Sequence, residues 1–303
     1  MHPIISVIVP CFNAENYIDD CLKSVVNQRN CNYELIVIDG GSSDGTLEII
    51  DKYRDSIKIV ISEPDSGQSD AINKGLKYCS GILFSWLNSD DYYTEGALEK
   101  VTRAYKENPN TIISGNTRFF GGVHGSAGVT VRPQNLNFED VLPLWRRRFS
   151  WAQPSTFFPR CPSVEINNNL HLAMDYELLL QMLLKHEATL IDAVISNFRV
   201  HELAKTAVLG YQNAIELPSI IAAFELHSRH LKPAEFMKFK SRCKMILAKH
   251  FLSRHDFKLA FHSVIDAFDN HLSQPLVMLL EYLISVVPFG RKTTFDAFRV
   301  SKT

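Results

Sequence analysis

Residues 82–93 read ILFSWLNSDDYY, and the change of character within them constrains the chain more than any other stretch. Positions 82–87 are apolar or aromatic except for Ser85, and Asn88-Ser89-Asp90-Asp91 follows at once. Such a run is a strand buried on both faces, the kind found in parallel sheets covered by helices. Open sheets of that type place their ligands at the carboxyl ends of the strands, where this one delivers two adjacent carboxylates. Neighbouring carboxylates repel, increasingly so when buried, unless a cation or strong donors compensate. Oxygen ligands at a strand end suit a hard dication such as Mg or Mn, which keeps waters and bridges to substrate phosphates. A solvated turn would account for an isolated Ser-Asp-Asp equally well. The flanking sequence favours the ligand site.

Upstream, residues 4–9 (IISVIV) form a β-branched run that Pro10 is expected to stop. Asn13 is placed to cap a helix whose Ile18, Cys21, Leu22, Val25 and Val26 share one face. A second strand at 34–39 ends in the turn Gly40-Gly41-Ser42-Ser43-Asp44-Gly45-Thr46, followed by a helix through Leu47, Ile50 and Tyr53. A third strand at 57–61 leads through Pro64 and Gly67 to a helix at 69–78, with Ser66 or Ser69 as cap. This alternation predicts an α/β fold with a mostly parallel sheet and right-handed crossovers. Further on, a helix runs from Thr94 to before Pro109, and strands at 112–120 and 129–132 flank a Gly-rich turn. A short helix at 137–144, a strand at 155–158, an apolar helix at 172–185 and an extended segment at 189–201 complete the alternation. From Tyr211 the pattern is helical throughout. The expected division is a nucleotide-binding region, 1–210, and a C-terminal α-helical region, 211–303.

A formal charge of −1 gives no electrostatic case for a nucleic acid polymer as partner. The six cysteines show no C-x-x-C pair, and no apolar leader precedes the first strand, so the chain reads as cytoplasmic with reduced thiols. Between Arg229 and His262 nine basic residues face only Glu235 and Asp256, with Phe236, Phe239, Met245, Ile246, Leu247 and Phe251 interleaved. A helix packed on the catalytic region explains that stretch, and so does attachment to anionic lipid at the inner face of the plasma membrane. Residues 276–289 are apolar apart from Glu281, too short for a span that needs roughly 20 residues, and compatible with an interfacial helix or a homodimer face.

The Gly-rich turn after the second strand lacks the G-x-G-x-x-G spacing, and Thr46 stands where a P-loop would carry lysine. Asp39, at the strand tip, can accept from the imide N–H of a base. Asp70, Asn73 and Lys74 lie one helical turn apart near the ligand edge of the sheet.

Taken together, Pro10-Cys11-Phe12-Asn13, the 39–46 turn, Asp65-Ser66-Gly67 with Asn73-Lys74-Gly75, and Asn88-Ser89-Asp90-Asp91 resemble the family 2 glycosyltransferases of the GT-A fold, over roughly residues 3–205. The resemblance implies a nucleotide-sugar donor, UDP foremost, and a glycan or lipid-linked acceptor in surface polysaccharide or O-antigen assembly. It implies that Pro10 and Phe12 flank the uracil and that Asp39 hydrogen-bonds it. Asn13, Ser42, Asp70, Asn73 and Lys74 join the donor site, and Asp90 faces the ribose or diphosphate. Asp91 ligates Mn or Mg, with His201 beside it, although Asn88 stands where many members carry an aspartate. Arg199 and Lys205 offset leaving-group charge, and Gln153 lines the acceptor side. Met174-Asp175-Tyr176-Glu177 matches the segment that carries the catalytic base. Inverting transfer needs a carboxylate opposite the leaving diphosphate to take the acceptor's proton. Asp175 is the first choice for that role and Glu177 the fallback. A non-catalytic nucleotide-sugar sensor or scaffold on the same fold is the alternative.

Overall fold

The computed structural model describes residues 4–121, 128–202, 204–228 and 231–270. Four parallel strands make one half of a nine-stranded sheet: β1 (Ile5–Cys11), β2 (Tyr33–Asp39), β3 (Ile59–Ser62) and β4 (Leu83–Trp86). They lie in the order β3-β2-β1-β4, with Cys11 level with Asp39 and Ile8 level with Trp86. The crossovers are α1 (Ile18–Val26), α2 (Thr46–Asp51) and α3 (Gln68–Leu76). As the apolar spacing predicts, α1 buries Ile18, Cys21, Leu22 and Val25, and these pack with Ile5, Val7, Val9, Leu35 and Val37. On α3, Gly75 permits close contact with the sheet, because a Cβ there would lie 2.6 Å from the Ile8 side chain.

Pro10 does not stop β1, which runs on to Cys11. The ladder between β1 and β4 ends at Ile8, so the missing N–H of Pro10 falls where no strand needs it. Nor does Asn13 cap α1, whose N-cap is Tyr17. At the start of α3, Gly67 (φ 112°) takes the cap position instead of Ser66 or Ser69.

The second half of the sheet is mixed, so only the first half is wholly parallel. Its elements are β5 (Tyr92–Tyr93), α4 (Ala97–Glu107), β6 (Ile112–Gly121), β7 (Thr130–Val131), α5 (Phe138–Val141), β8 (Thr156–Pro159), α6 (Met174–Leu183) and β9 (Ala188–Val200). β8 inserts antiparallel between β4 and β6, β9 runs parallel to β6, and β5 returns antiparallel on β9. The pairing of β5 with β9 matters most, since it brings 197–201 beside the acid pair at 90–91.

Helices α7 (Lys205–Leu209) and α8 (Asn213–Phe224) follow, and a first compact unit closes at Leu231. The division thus falls after α8, past the boundary expected near 210. The second unit begins at Lys232 and contains α9 (Pro233–Ser253) and α10 (Phe257–Asn270). In it, α10 buries Ala260, Ser263 and Ala267, and Ser241 donates to the Ala267 carbonyl at 2.7 Å. The apolar stretch 276–289 lies outside the described residues. Among the described residues no helix is long and apolar enough to cross a membrane.

At the end of the sheet opposite the acid pair, Glu34 collects four donors: Ser6 Oγ and the Ser80 N–H on Oε1, Lys58 Nζ and Ser80 Oγ on Oε2, all within 2.5–2.7 Å. Burial opposes its charge, but the bonds from Lys58, Ser6 and Ser80 outweigh that and bring its pKa down to about 2. A carboxyl depressed on folding contributes stability above its unfolded pKa and loses it as pH falls toward the folded value. Glu34→Gln is therefore expected to cost about 1–3 kcal/mol at neutral pH. In urea melts, its deficit against wild type should shrink below about pH 4.3. A deficit constant across that range would contradict the assignment.

Candidate active site

The loops at the carboxyl ends of β1 and β2 are stitched together by polar contacts. Asn13, held at φ 47°, donates its N–H to Ser42 Oγ (2.8 Å) and accepts from the Ser43 N–H through Oδ1 (2.9 Å). The Ala14 N–H reaches Thr46 Oγ1 at 2.7 Å, and the Gly45 N–H reaches Glu15 at 2.8 Å. Asp39 is fully buried at the tip of β2. Its Oδ2 accepts from the Gly41 and Ser42 N–H groups and Ser62 Oγ, and its Oδ1 from Ser42 Oγ and Cys11 Sγ. A base would have to share Oδ1 with the rotatable Ser42 hydroxyl. Phe12 projects from this rim at 63% exposure, whereas Pro10 is buried within the strand. Of the two residues expected to flank a base, Phe12 is the one that can reach it. Asp65 lies against Gly40, where a Cβ would meet its carboxylate at 2.6 Å.

The two adjacent aspartates have different surroundings. Asp91 is 1% exposed; its Oδ1 accepts from the Arg199 N–H (2.9 Å) and its Oδ2 from Asn88 Nδ2 (3.5 Å). Burial, then the charge of Asp90, raises its pKa well above the carboxylate range. Asp90 is 27% exposed at its side chain and meets His201 Nε2 through Oδ2 at 3.0 Å. Of the adjacent pair, Asp90 is the accessible carboxylate, and Asp91, expected as the metal ligand, turns inward to receive a strand N–H.

His201 lies against the Tyr17 ring at 4.8 Å between centroids, and its Nδ1 is buried without a hydrogen-bond partner. Arg199 is a brace. It donates through Nε to the Asp90 carbonyl (3.0 Å), pairs with Asp20 (2.8 Å), and lies over the rings of Tyr17 and Phe120. Its guanidinium, expected to offset leaving-group charge, is engaged by these contacts.

Among the described residues no group of three or more His, Cys, Asp or Glu is arranged to hold a metal ion. Asp90 and His201 present one oxygen and one imidazole nitrogen, which fits a dication that takes its remaining ligands from water and a diphosphate. A ligating histidine ordinarily donates its other N–H to an acceptor, so the solitary Nδ1 makes His201 the weaker of the two.

The polar residues of α3 hold loops together. Asn73 donates to the Ile166 carbonyl (2.7 Å) and to Asn168, and accepts from the Ile166 N–H. Lys74 binds the Pro64 carbonyl (3.0 Å) and Glu63 (2.9 Å), and Asp70 accepts from the Ser66 N–H. All three were expected in the donor site, and their polar atoms also tie the loop that carries Asp65 and the segment near 166–168. Gln153 is buried and donates to the Trp86 carbonyl at 2.9 Å, so it supports the end of β4 from within and does not line an open acceptor side.

Asp175 stands in the first turn of α6, accepting the Tyr176 N–H through Oδ1 at 2.7 Å. Burial raises its pKa to about 6, opposed by that N–H and by Lys205, and reinforced by Glu216. Glu177 is also raised by burial and is held by Asn167 at 3.5 Å. Lys205 donates to Gln68 Oε1 (3.1 Å), Gln68 donates to Asn88 Oδ1 (2.6 Å), and Asn88 reaches Asp91. This amide relay connects the Asp175 side of the cleft to the acid pair. Gln68, Tyr17 and Glu216 escaped the sequence reading, since each acts through a partner distant in the chain.

Asn88 accepts from Gln68 and donates to Asp91, and an aspartate could not do both. Asn88→Asp should lower stability at pH 7 by about 1–3 kcal/mol, by removing a donor and adding a third carboxylate. Thermal unfolding reads this; unchanged or increased stability would refute the relay.

The family model for glycosyl transferase family 2 matches residues 6–159. WfgD of Escherichia coli, named as a UDP-Glc:alpha-D-GlcNAc-diphosphoundecaprenol beta-1,3-glucosyltransferase, is 33% identical over 140 residues, covering 46% of this chain and 55% of that protein. TuaG of Bacillus subtilis (strain 168), ascribed to teichuronic acid biosynthesis, is 39% identical over 101 residues, 32% of this chain and 40% of its own length. The chain thus spans about half or less of these relatives. In structure it resembles S. aureus TarS 1–349 in complex with UDP-GlcNAc, with TM-score 0.57 and 18% identity over 86% of this chain and 90% of that one. It also resembles the mannosyltransferase PcManGT from Pyrobaculum calidifontis in complex with GDP-Man and Mn2+, with TM-score 0.54 and 16% identity over 95% and 81%. At those identities the likeness is one of fold, and the fold is GT-A. The family model spans just over half of the 303 residues, from the first strand to the end of β8, and the chain belongs to glycosyl transferase family 2.

Proposed function

We propose that this chain is an inverting glycosyltransferase. It moves a sugar from a nucleotide diphosphate, UDP foremost, to a hydroxyl of a glycan or lipid-linked saccharide during assembly of a bacterial surface polysaccharide. The observation that carries this reading is a chain of side-chain contacts between two unlike acidic centres. Asp90 with His201 lies at one end beside Asp91 and Asn88, and Gln68 links Asn88 to Lys205, whose charge acts on the raised carboxyl of Asp175 at the other. The names of WfgD and TuaG support the polysaccharide context, and those of WfgD and of the TarS complex support the UDP donor.

The residues divide the work. Phe12, exposed at the rim, offers a face on which a nucleobase can stack, near Asp39. Asp90 and His201 would hold Mn or Mg, which when bound neutralises charge on a leaving diphosphate. Asp175 takes the proton of the acceptor hydroxyl as the new glycosidic bond forms. A base with a pKa of about 6 is ionised at neutral pH yet still accepts a proton in the transition state. Lys205, whose pKa is lowered by burial, lies close enough to steady the ionised Asp175. In the second unit, α10 exposes Phe257, Phe261 and Ile265 along one stripe beside Lys258, which supports attachment to an anionic membrane surface.

Asp175→Asn is expected to retain UDP affinity within about twofold and to lose roughly 100-fold or more in turnover. The wild-type kcat should fall on the acid side with a midpoint near 6, because Asp175 must be deprotonated to act. A panel of UDP- and GDP-sugars, scored for nucleotide release with and without acceptor, checks both. A variant with undiminished function would favour the nucleotide-sugar sensor instead.

A further inference from the structure

Helix α6 starts without a side-chain cap of its own: its N-cap is Ala173, and no local side chain caps it. Backbone N–H groups at and before a helix start need acceptors, and Ser, Thr, Asp or Asn usually supply one. Here the acceptor comes from 43 residues further along the chain. Glu216, in the first turn of α8 and 4% exposed, accepts the N–H groups of His171 (2.8 Å), Leu172 (3.0 Å) and Ala173 (2.8 Å). Ser69 adds a tie from α3, contacting the Leu170 carbonyl and Met174 Sδ.

We propose that Glu216 is the positioning residue for Asp175: by gathering three successive N–H groups it fixes the turn from which α6 departs, and with it the place of the Asp175 carboxyl. This inference rests on the reading of Asp175 as the base. Three backbone donors replace the water that a buried carboxyl loses. An amide could not match them, since its NH2 would be directed at donors. The same buried charge also acts through space: it raises the Asp175 pKa while Lys205 lowers it. Lys205 and Glu216 are the charged groups whose opposing fields act on that carboxyl.

The full chain carrying Glu216→Gln or Glu216→Asp tests this, with UDP release measured from the donor that wild type turns over fastest. Two further readouts need no donor: 13C titration of the Asp175 carboxyl, assigned with Asp175→Asn, and amide exchange at 171–173. Glu216→Gln should lower kcat at least tenfold with the donor KM within about twofold. It should also move the Asp175 titration, and the acid limb of kcat, below 6, and speed exchange at 171–173. Glu216→Asp, which keeps the charge, should hold the limb near 6 while recovering part of kcat. A Glu216→Gln protein with wild-type kcat and limb, or one destabilised with the titration unmoved, would overturn the proposal. Should Asp175→Asn turn over normally, the catalytic reading fails instead, and the two donor-free readouts still decide whether Glu216 places that carboxyl.

Discussion

Two carboxylates next to each other in sequence cannot both be buried and charged without large compensation. This chain separates them by environment. Asp91 is drawn into the sheet by the Arg199 N–H and the Asn88 amide, while Asp90 remains at the surface of the cleft against His201. Much of the surrounding architecture serves that separation. The antiparallel pairing of β5 with β9 brings Arg199 and His201 to the acid pair, and Arg199 then grips the Asp90 main chain while stacked between Tyr17 and Phe120. Gln153 supports the same strand end from below.

The parallel half of the fold was legible because buried strands and one-faced helices leave periodic patterns in sequence. Residues 82–87, 34–39 and the Ile18–Val26 face all lie where the pattern put them. The mixed half was not, since β8 enters antiparallel by a connection that periodicity does not encode. Pro10 misled for a related reason: whether proline ends a strand depends on whether a neighbour still needs its N–H, which is a property of the sheet.

At the site, residue type announced the acid pair and the helix-start acids but not which carboxylate turns inward. Asp90 and Asp91 differ in sequence by one position and in structure by the whole of their solvation. Asp70, Asn73 and Lys74 carry ligand-like chemistry and make hydrogen bonds to loop backbone groups, in the case of Asn73 to a loop 93 residues further along the chain. Glu216 shows the converse. A glutamate in an otherwise apolar helix has no local signal of importance, yet three backbone donors converge on it.

The unequal roles of the adjacent acids can be measured directly. Isothermal titration of Mn2+ into protein saturated with UDP should show binding that Asp90→Asn weakens by roughly 100-fold and His201→Ala by roughly tenfold. Asp91→Asn should leave affinity within a few-fold of wild type at a temperature where the variant is folded. Loss of Mn2+ binding in Asp91→Asn, with Asp90→Asn unaffected, would contradict the account.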